Sequence, residues 1–259
     1  MKSALFMGLV LGVLFSLMGI FVVTKGMSFF SDFIAHSAIL GGALAILTDV
    51  EPALFLVPYS LFMAFAVSAI WNHFPLSRDT VLGVFYGGTV ASGIILIAAM
   101  GLGQSSLISM LFGDILLVKP VDIWLSSGLL GAFALFLAVK FRGLIKSSFL
   151  PEISRAEGIR VGFYDYALIT LIAVTIALSI KLIGVILANA MVVIPAAAAK
   201  TVSRSLRQFM VIAPILGVAS FLCGIILSFH LNLPSGPSVI ASAFFFFLAA
   251  LVAKRAGRM

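Results

Sequence analysis

Charge is scarce in this chain: only 10% of its 259 residues are Asp, Glu, Lys or Arg, against 63% hydrophobic. Mean hydropathy is +1.27, and the apolar share exceeds the roughly 45–50% of soluble domains. No long polar segment interrupts the apolar runs, which leaves no room for a soluble domain beside them. Cysteine is nearly absent. Cys223 stands alone, so no intrachain disulfide and no thiolate metal cluster can form. Its setting, Phe221-Leu222-Cys223-Gly224, reads as a small core residue. No Gly-x4-Gly-Lys-Ser/Thr segment occurs, so nothing here cradles a nucleotide, and no His-Glu-x2-His helix marks a metalloprotease.

The apolar residues fall in runs long enough to cross a bilayer, which takes roughly 20 residues in a helix. Nine transmembrane helices are expected, near 4–23, 28–48, 53–71, 80–101, 120–140, 164–182, 184–199, 208–230 and 237–253. The fold class is therefore an all-α integral membrane protein, with 1–259 forming one transmembrane domain. The first run is longer than the apolar core of a signal peptide and no small-x-small site follows it, so it reads as a retained span. Segment 104–118 is apolar but short, which suits a partly inserted or surface helix. Segment 184–199 is also short and carries Asn189 and Pro195; interrupted spans of this kind line pathways, where freed backbone groups meet water or ligand.

The net charge of +7 points to topology and not to nucleic acid. With the loop at 141–163 placed in the cytoplasm, alternation puts Lys25, Arg78, Lys140, Arg142, Lys146, Arg155, Arg160, Lys200, Arg204, Arg207, Lys254, Arg255 and Arg258 on that side. Only Lys2, Lys119 and Lys181 of the 16 basic residues fall opposite. The positive-inside rule then sets the N-terminus outside and the C-terminus in the cytoplasm.

Within the second run, Asp32 and His36 stand one helical turn apart and project from one face. Ionisable groups at membrane depth are costly and mark pathways or ligands. Two readings stand. Either the pair contacts a metal ion, for which one chain offers two ligands and two copies offer the four of a tetrahedral site; or Asp32 caps the helix start and His36 bonds to a neighbouring helix. Asp114, in the segment 104–118, gates the outer mouth or caps a turn before Lys119. Ser77 and Asp79 read as an N-cap and a dipole partner. Gly8-x3-Gly12 and Gly83-x3-Gly87 permit close helix contacts.

The longest cytoplasmic segment, about 142–163, contains Pro151-Glu152-Ile153-Ser154-Arg155-Ala156-Glu157-Gly158. Pro151 suits a first helical turn, Glu152 its positive end and Gly158 its stop, giving a short polar helix along the membrane surface. It is either a solvated connection or an element that docks a cytoplasmic motor.

Six segments taken together resemble the permease subunit of bacterial zinc/manganese ABC importers. They are Ser31-Asp32-Phe33-Ile34-Ala35-His36-Ser37-Ala38, Leu76-Ser77-Arg78-Asp79-Thr80-Val81-Leu82-Gly83, Leu111-Phe112-Gly113-Asp114-Ile115-Leu116, Arg155-Ala156-Glu157-Gly158-Ile159, Val192-Val193-Ile194-Pro195-Ala196-Ala197 and Pro234-Ser235-Gly236-Pro237. The resemblance implies the architecture of a vitamin B12-type importer lacking one helix, in a bacterial inner membrane. It implies a homodimer, a separate ABC ATPase dimer beneath and an extracytoplasmic metal-binding protein above. It further implies metal contact at Asp32 and His36, and ATPase coupling through Glu152, Arg155, Ala156, Glu157 and Gly158. No cofactor is expected to stay bound; the cargo is zinc, with manganese or iron as alternatives, and the chain itself is not an enzyme. Asn189 departs from the more usual Ser or Thr, and Gly41 follows Leu40 where several relatives have Pro before Gly. A different class, an ion-coupled secondary transporter with Asp32 and His36 carrying protons or cations, needs no ATPase; copurification with one separates the two.

Overall fold

The structure, a computed structural model, describes residues 2–101 and 120–256. Every regular element among them is an α-helix: α1 (Lys2–Thr24), α2 (Ser28–Leu47), α3 (Pro52–His73), α4 (Arg78–Ala99), α5 (Pro120–Phe149), α6 (Pro151–Ala156), α7 (Val161–Val202), α8 (Leu206–Leu231) and α9 (Ser235–Ala256). These hold nine stretches long and apolar enough to cross a membrane, the number expected, with α7 supplying two. Asp114 and the rest of the segment 104–118 lie outside the described residues.

The fifth span departs most from expectation, and the others differ at their ends by three residues or fewer. The fifth was placed at 120–140, yet α5 continues for 30 residues to Phe149 through an irregular backbone at Lys140 (φ −110°, ψ 15°). Leu144, Ser147 and Ser148 are buried beyond that point, so packing on one side sustains the helix after the apolar run has ended. Much of the expected polar connection at 142–163 is therefore helical. The seventh span, expected at 184–199, extends over Leu182–Val202. Within α7 the break falls at Gly184 (φ 77°, ψ 167°), a conformation that a residue with a Cβ rarely adopts.

The chain divides into two compact units. One contains α1, α5, α6, α8, α9 and both ends of α7. In it α1 lies along α8 at close range: a Cβ on Gly12 would sit 2.9 Å from the backbone N and Cα of Val218, and one on Gly8 would sit 3.1 Å from Phe221. Gly8-x3-Gly12 thus makes the close helix contact its spacing suggests. Gly224 of α8 likewise meets the backbone of Val239 in α9. Phe21 of α1 packs edge-on against Phe133 of α5, with centroids 6.4 Å apart. Because α8 turns Gly217, Phe221 and Gly224 inward, Cys223 falls on its outer side and is exposed, not the core residue expected.

The other unit contains α2, α3, α4 and residues 168–189 of α7. Aromatic contacts join its helices: Phe30 of α2 with Trp71 of α3 at 5.8 Å, and Phe33 with Phe85 of α4 at 6.2 Å. Gly93 of α4 lets the backbone of Ile39 and Leu40 approach closely. Gly41 does the same for the Tyr59 ring of α3. Ser77 caps α4 by accepting from the Thr80 N–H at 3.1 Å. Gly83 and Gly87, by contrast, have nothing within 4 Å of an added Cβ, so their spacing serves no contact among the described residues.

Candidate metal site

All parts of the site sit in the unit formed by α2–α4 and the middle of α7. Helix α2 starts at Ser28, so Asp32 lies beyond its first turn and does not cap it. The cap reading of Asp32 is corrected on that ground. Its side chain is instead 22% exposed and that of His36 17% exposed, a depth at which a lone charge needs partners.

Asp32 has two. Asn189 of α7 donates from Nδ2 to Oδ1 at 2.8 Å, and the His36 Nδ1 stands 3.1 Å from the same oxygen. Nδ1 also lies 3.0 Å from the Asp32 backbone carbonyl. Both oxygens are acceptors, so Nδ1 carries the ring proton and donates. In the neutral imidazole the lone pair is then at Nε2, the nitrogen free to bind a cation. A ligating histidine held by carboxylate or carbonyl at its other nitrogen is the arrangement that fixes ring orientation and raises ligand basicity.

The Asn189 amide is itself oriented, since Ser31 Oγ donates to its Oδ1 at 2.7 Å. That contact fixes which end of the amide faces Asp32. The Tyr86 ring of α4 lies beside the imidazole, with centroids 5.1 Å apart, and closes that side. The pair offers a carboxylate oxygen, a hard donor, and an imidazole nitrogen, a borderline one. The chemistry suits zinc, manganese or iron(II).

Two ligands do not close a site. No group of three or more His, Cys, Asp or Glu among the described residues could hold a metal ion. Two donors are half of the four that a tetrahedral zinc shell takes.

The sequence candidates are thus partly assembled. Asp32, His36 and Asn189 meet. Pro195 is buried six residues further along α7, in the other unit. Ser31 and Tyr86 are additions; Ser31 was visible only as a neighbour of Asp32, and Tyr86 carried no signal in the sequence.

The proposed docking residues form one exposed element. Pro151 occupies the first turn of α6, Glu152 follows it, and Gly158 (φ 78°) ends the turn beyond. Glu152, Arg155, Ala156, Glu157 and Gly158 are all exposed, as is Ile153, while Ser154 is buried and donates to the Leu150 carbonyl at 2.9 Å. Glu157 forms an ion pair with Lys146 near the end of α5.

Known proteins similar in sequence or in fold bear on this arrangement. The chain is 32% identical over 248 residues to the high-affinity zinc uptake system membrane protein ZnuB of Haemophilus influenzae, covering 95% of each chain. It is 29% identical over 248 residues to the manganese import system permease protein ScaB of Streptococcus gordonii, covering 96% of this chain and 89% of that one. A further relative, the chelated iron transport system membrane protein YfeD of Yersinia pestis, is 29% identical over 252 residues, 97% of this chain and 84% of that one. Among solved structures, PsaBC from Streptococcus pneumoniae in complex with Fab superposes with a TM-score of 0.84 at 28% identity, over 96% of this chain and 90% of that chain. The model of the ABC 3 transport family matches residues 1–254. With nine stretches among the described residues long and apolar enough to span a membrane, and a match along nearly its whole length, this chain belongs to the ABC 3 transport family.

Proposed function

We propose that this chain is the membrane-spanning subunit of an ATP-driven importer of divalent transition-metal ions. The cargo ion passes Asp32 and His36, and a second copy of the chain completes its coordination. The observation that carries this reading is the oriented pair itself, Asp32 and His36 on one turn of α2 with Asn189 holding the carboxylate. The zinc, manganese and iron relatives support the cargo class, and imidazole with carboxylate makes zinc the first ion to test. ATP is hydrolysed by a separate cytoplasmic ATPase dimer docked on α6, and an extracytoplasmic binding protein delivers the ion. The chain is a multi-pass inner-membrane protein with its C-terminus in the cytoplasm.

Within this reading the two side chains have distinct tasks. The Asp32 carboxylate supplies the negative charge that draws a dehydrated divalent cation into a low-dielectric site. His36 supplies a neutral nitrogen ligand through Nε2 while its Nδ1–H stays on Asp32. Only two ligands per chain keep the site loose enough to release its ion.

The test is uptake of zinc, manganese and iron(II) into proteoliposomes holding this chain and its ATPase, alongside single substitutions. Asp32→Asn preserves shape and loses the charge; His36→Ala removes the nitrogen. Either is expected to abolish or sharply reduce uptake with complex assembly intact, His36→Ala acting most strongly on zinc. Wild-type uptake by the double variant sinks the assignment. ATP-independent uptake by the chain alone favours a secondary transporter instead.

A further inference from the structure

Lys25 is a lysine whose side chain is only 7% exposed. It sits in the turn between α1 and α2 and closes a compact helix end: Met27 N–H bonds to the Val22 carbonyl at 2.8 Å, with Gly26 left-handed at φ 65°. Its ammonium reaches far along the chain. It donates to Asp165 Oδ1 at 2.6 Å, near the start of α7, and to the Ser147 carbonyl at 3.2 Å, near the end of α5.

Those two acceptors bracket the docking helix. Ser147 precedes Pro151 by four residues, and Asp165 follows Ala156 by nine. Both chain segments that hold α6 are therefore fastened to one cation. The same cation stands three residues before α2, the helix that carries Asp32 and His36. The Asp165 side chain is 28% exposed, so the pair is half-buried, and it resists separation chiefly because the buried lysine left alone keeps its desolvation penalty. Solvated connections need no such device, and the neighbouring Lys146–Glu157 pair, 48% and 44% exposed, illustrates the ordinary surface case.

We propose that Lys25 is a positioning residue for coupling: with Asp165 and the Ser147 carbonyl it joins the two flanks of the ATPase-docking helix to the turn leading into α2. Displacement of α6 by its partner is passed through this ammonium to the start of the metal-bearing helix. Lys25 touches neither cargo nor nucleotide. The inference rests on the docking role proposed above for α6.

The experiment compares wild type, Lys25→Met, Lys25→Arg and Asp165→Asn in the complete complex with its ATPase, in proteoliposomes. Uptake of zinc and hydrolysis of ATP are measured on the same samples, with thermal midpoints of the detergent-solubilised complex. Lys25→Met and Asp165→Asn are expected to assemble and hydrolyse ATP while uptake per ATP falls about tenfold, the size of a typical coupling free energy. Lys25→Arg keeps the charge and restores most of the ratio. A purely structural role lowers uptake and hydrolysis together and leaves their ratio unchanged, which overturns the proposal. So does failure of both Lys25→Met and Asp165→Asn to assemble, which makes the pair a fold staple. Absence of ATP-driven metal uptake in the wild-type complex is a separate outcome: it removes the functional reading itself.

Discussion

Asn189 has the most to explain among single residues. It lies 157 positions from Asp32 in sequence and donates to its carboxylate at 2.8 Å, while Ser31 holds the other end of the amide. In the proposed function its effect on the ion is indirect, through the orientation and basicity of Asp32. Partners of metal ligands typically change metal affinity about 10–100-fold when removed. Asn189→Leu keeps the volume and loses the donor, so the uptake KM for zinc is expected to rise by about that factor. Helical content by circular dichroism should stay unchanged. An unaltered KM reduces Asn189 to a packing residue. His36 and Asp32, in contrast, should affect maximal uptake as well, because in the proposed function they touch the ion.

At the scale of elements, glycine position separates helices that approach from helices that do not. Gly12 of α1 faces the backbone of Val218, which cannot swing away as a side chain would. Gly12→Ala forces α1 off α8 and is expected to destabilise by about 1–3 kcal/mol, the usual range for overpacking. Gly128 of α5 has nothing within 4 Å of an added Cβ. There Ala relieves the backbone entropy of a helical glycine, so Gly128→Ala should stabilise by roughly 0.5–1 kcal/mol. Thermal melts of the purified chain in one detergent compare the two directly; equal midpoints contradict the contact between α1 and α8. A similar argument explains why Gly184 interrupts α7. Its positive φ suits glycine and starts a second span without a connecting loop.

For the whole molecule, the distribution of basic residues predicts orientation. Lys25, Arg155 and Lys254 should face the cytoplasm, and Glu51 and Asn232, in the connections between α2 and α3 and between α8 and α9, should face outward. The check is labelling of single introduced cysteines by a membrane-impermeant thiol reagent in intact cells and in inside-out vesicles. Cys223 is exposed and is first replaced by serine to keep the background clean. Labelling of Lys254→Cys from outside reverses the assignment. Orientation matters for function, since α6 meets a cytoplasmic ATPase only if the connection it occupies faces inward.

Features that depend on neighbours along the chain were legible in the residues alone. Nine spans followed from hydropathy, because burying apolar side chains in lipid needs only length and composition. The short helix Pro151–Ala156 followed from Pro151, Glu152 and Gly158, which act on the backbone within a turn. The placement of Asp32 with His36 followed from helical spacing. Tertiary structure decided the rest. The continuation of α5 past Lys140 depends on packing of Leu144, Ser147 and Ser148, which no hydropathy window contains. Gly8-x3-Gly12 and Gly83-x3-Gly87 have the same spacing, yet only the first meets another helix among the described residues. The Asn189 amide on Asp32 and the Lys25 ammonium on Asp165 join residues 157 and 140 positions apart. Side chains that far apart in sequence meet only because the helices between them fold back, and that geometry is a property of the packed whole and not of any segment in it.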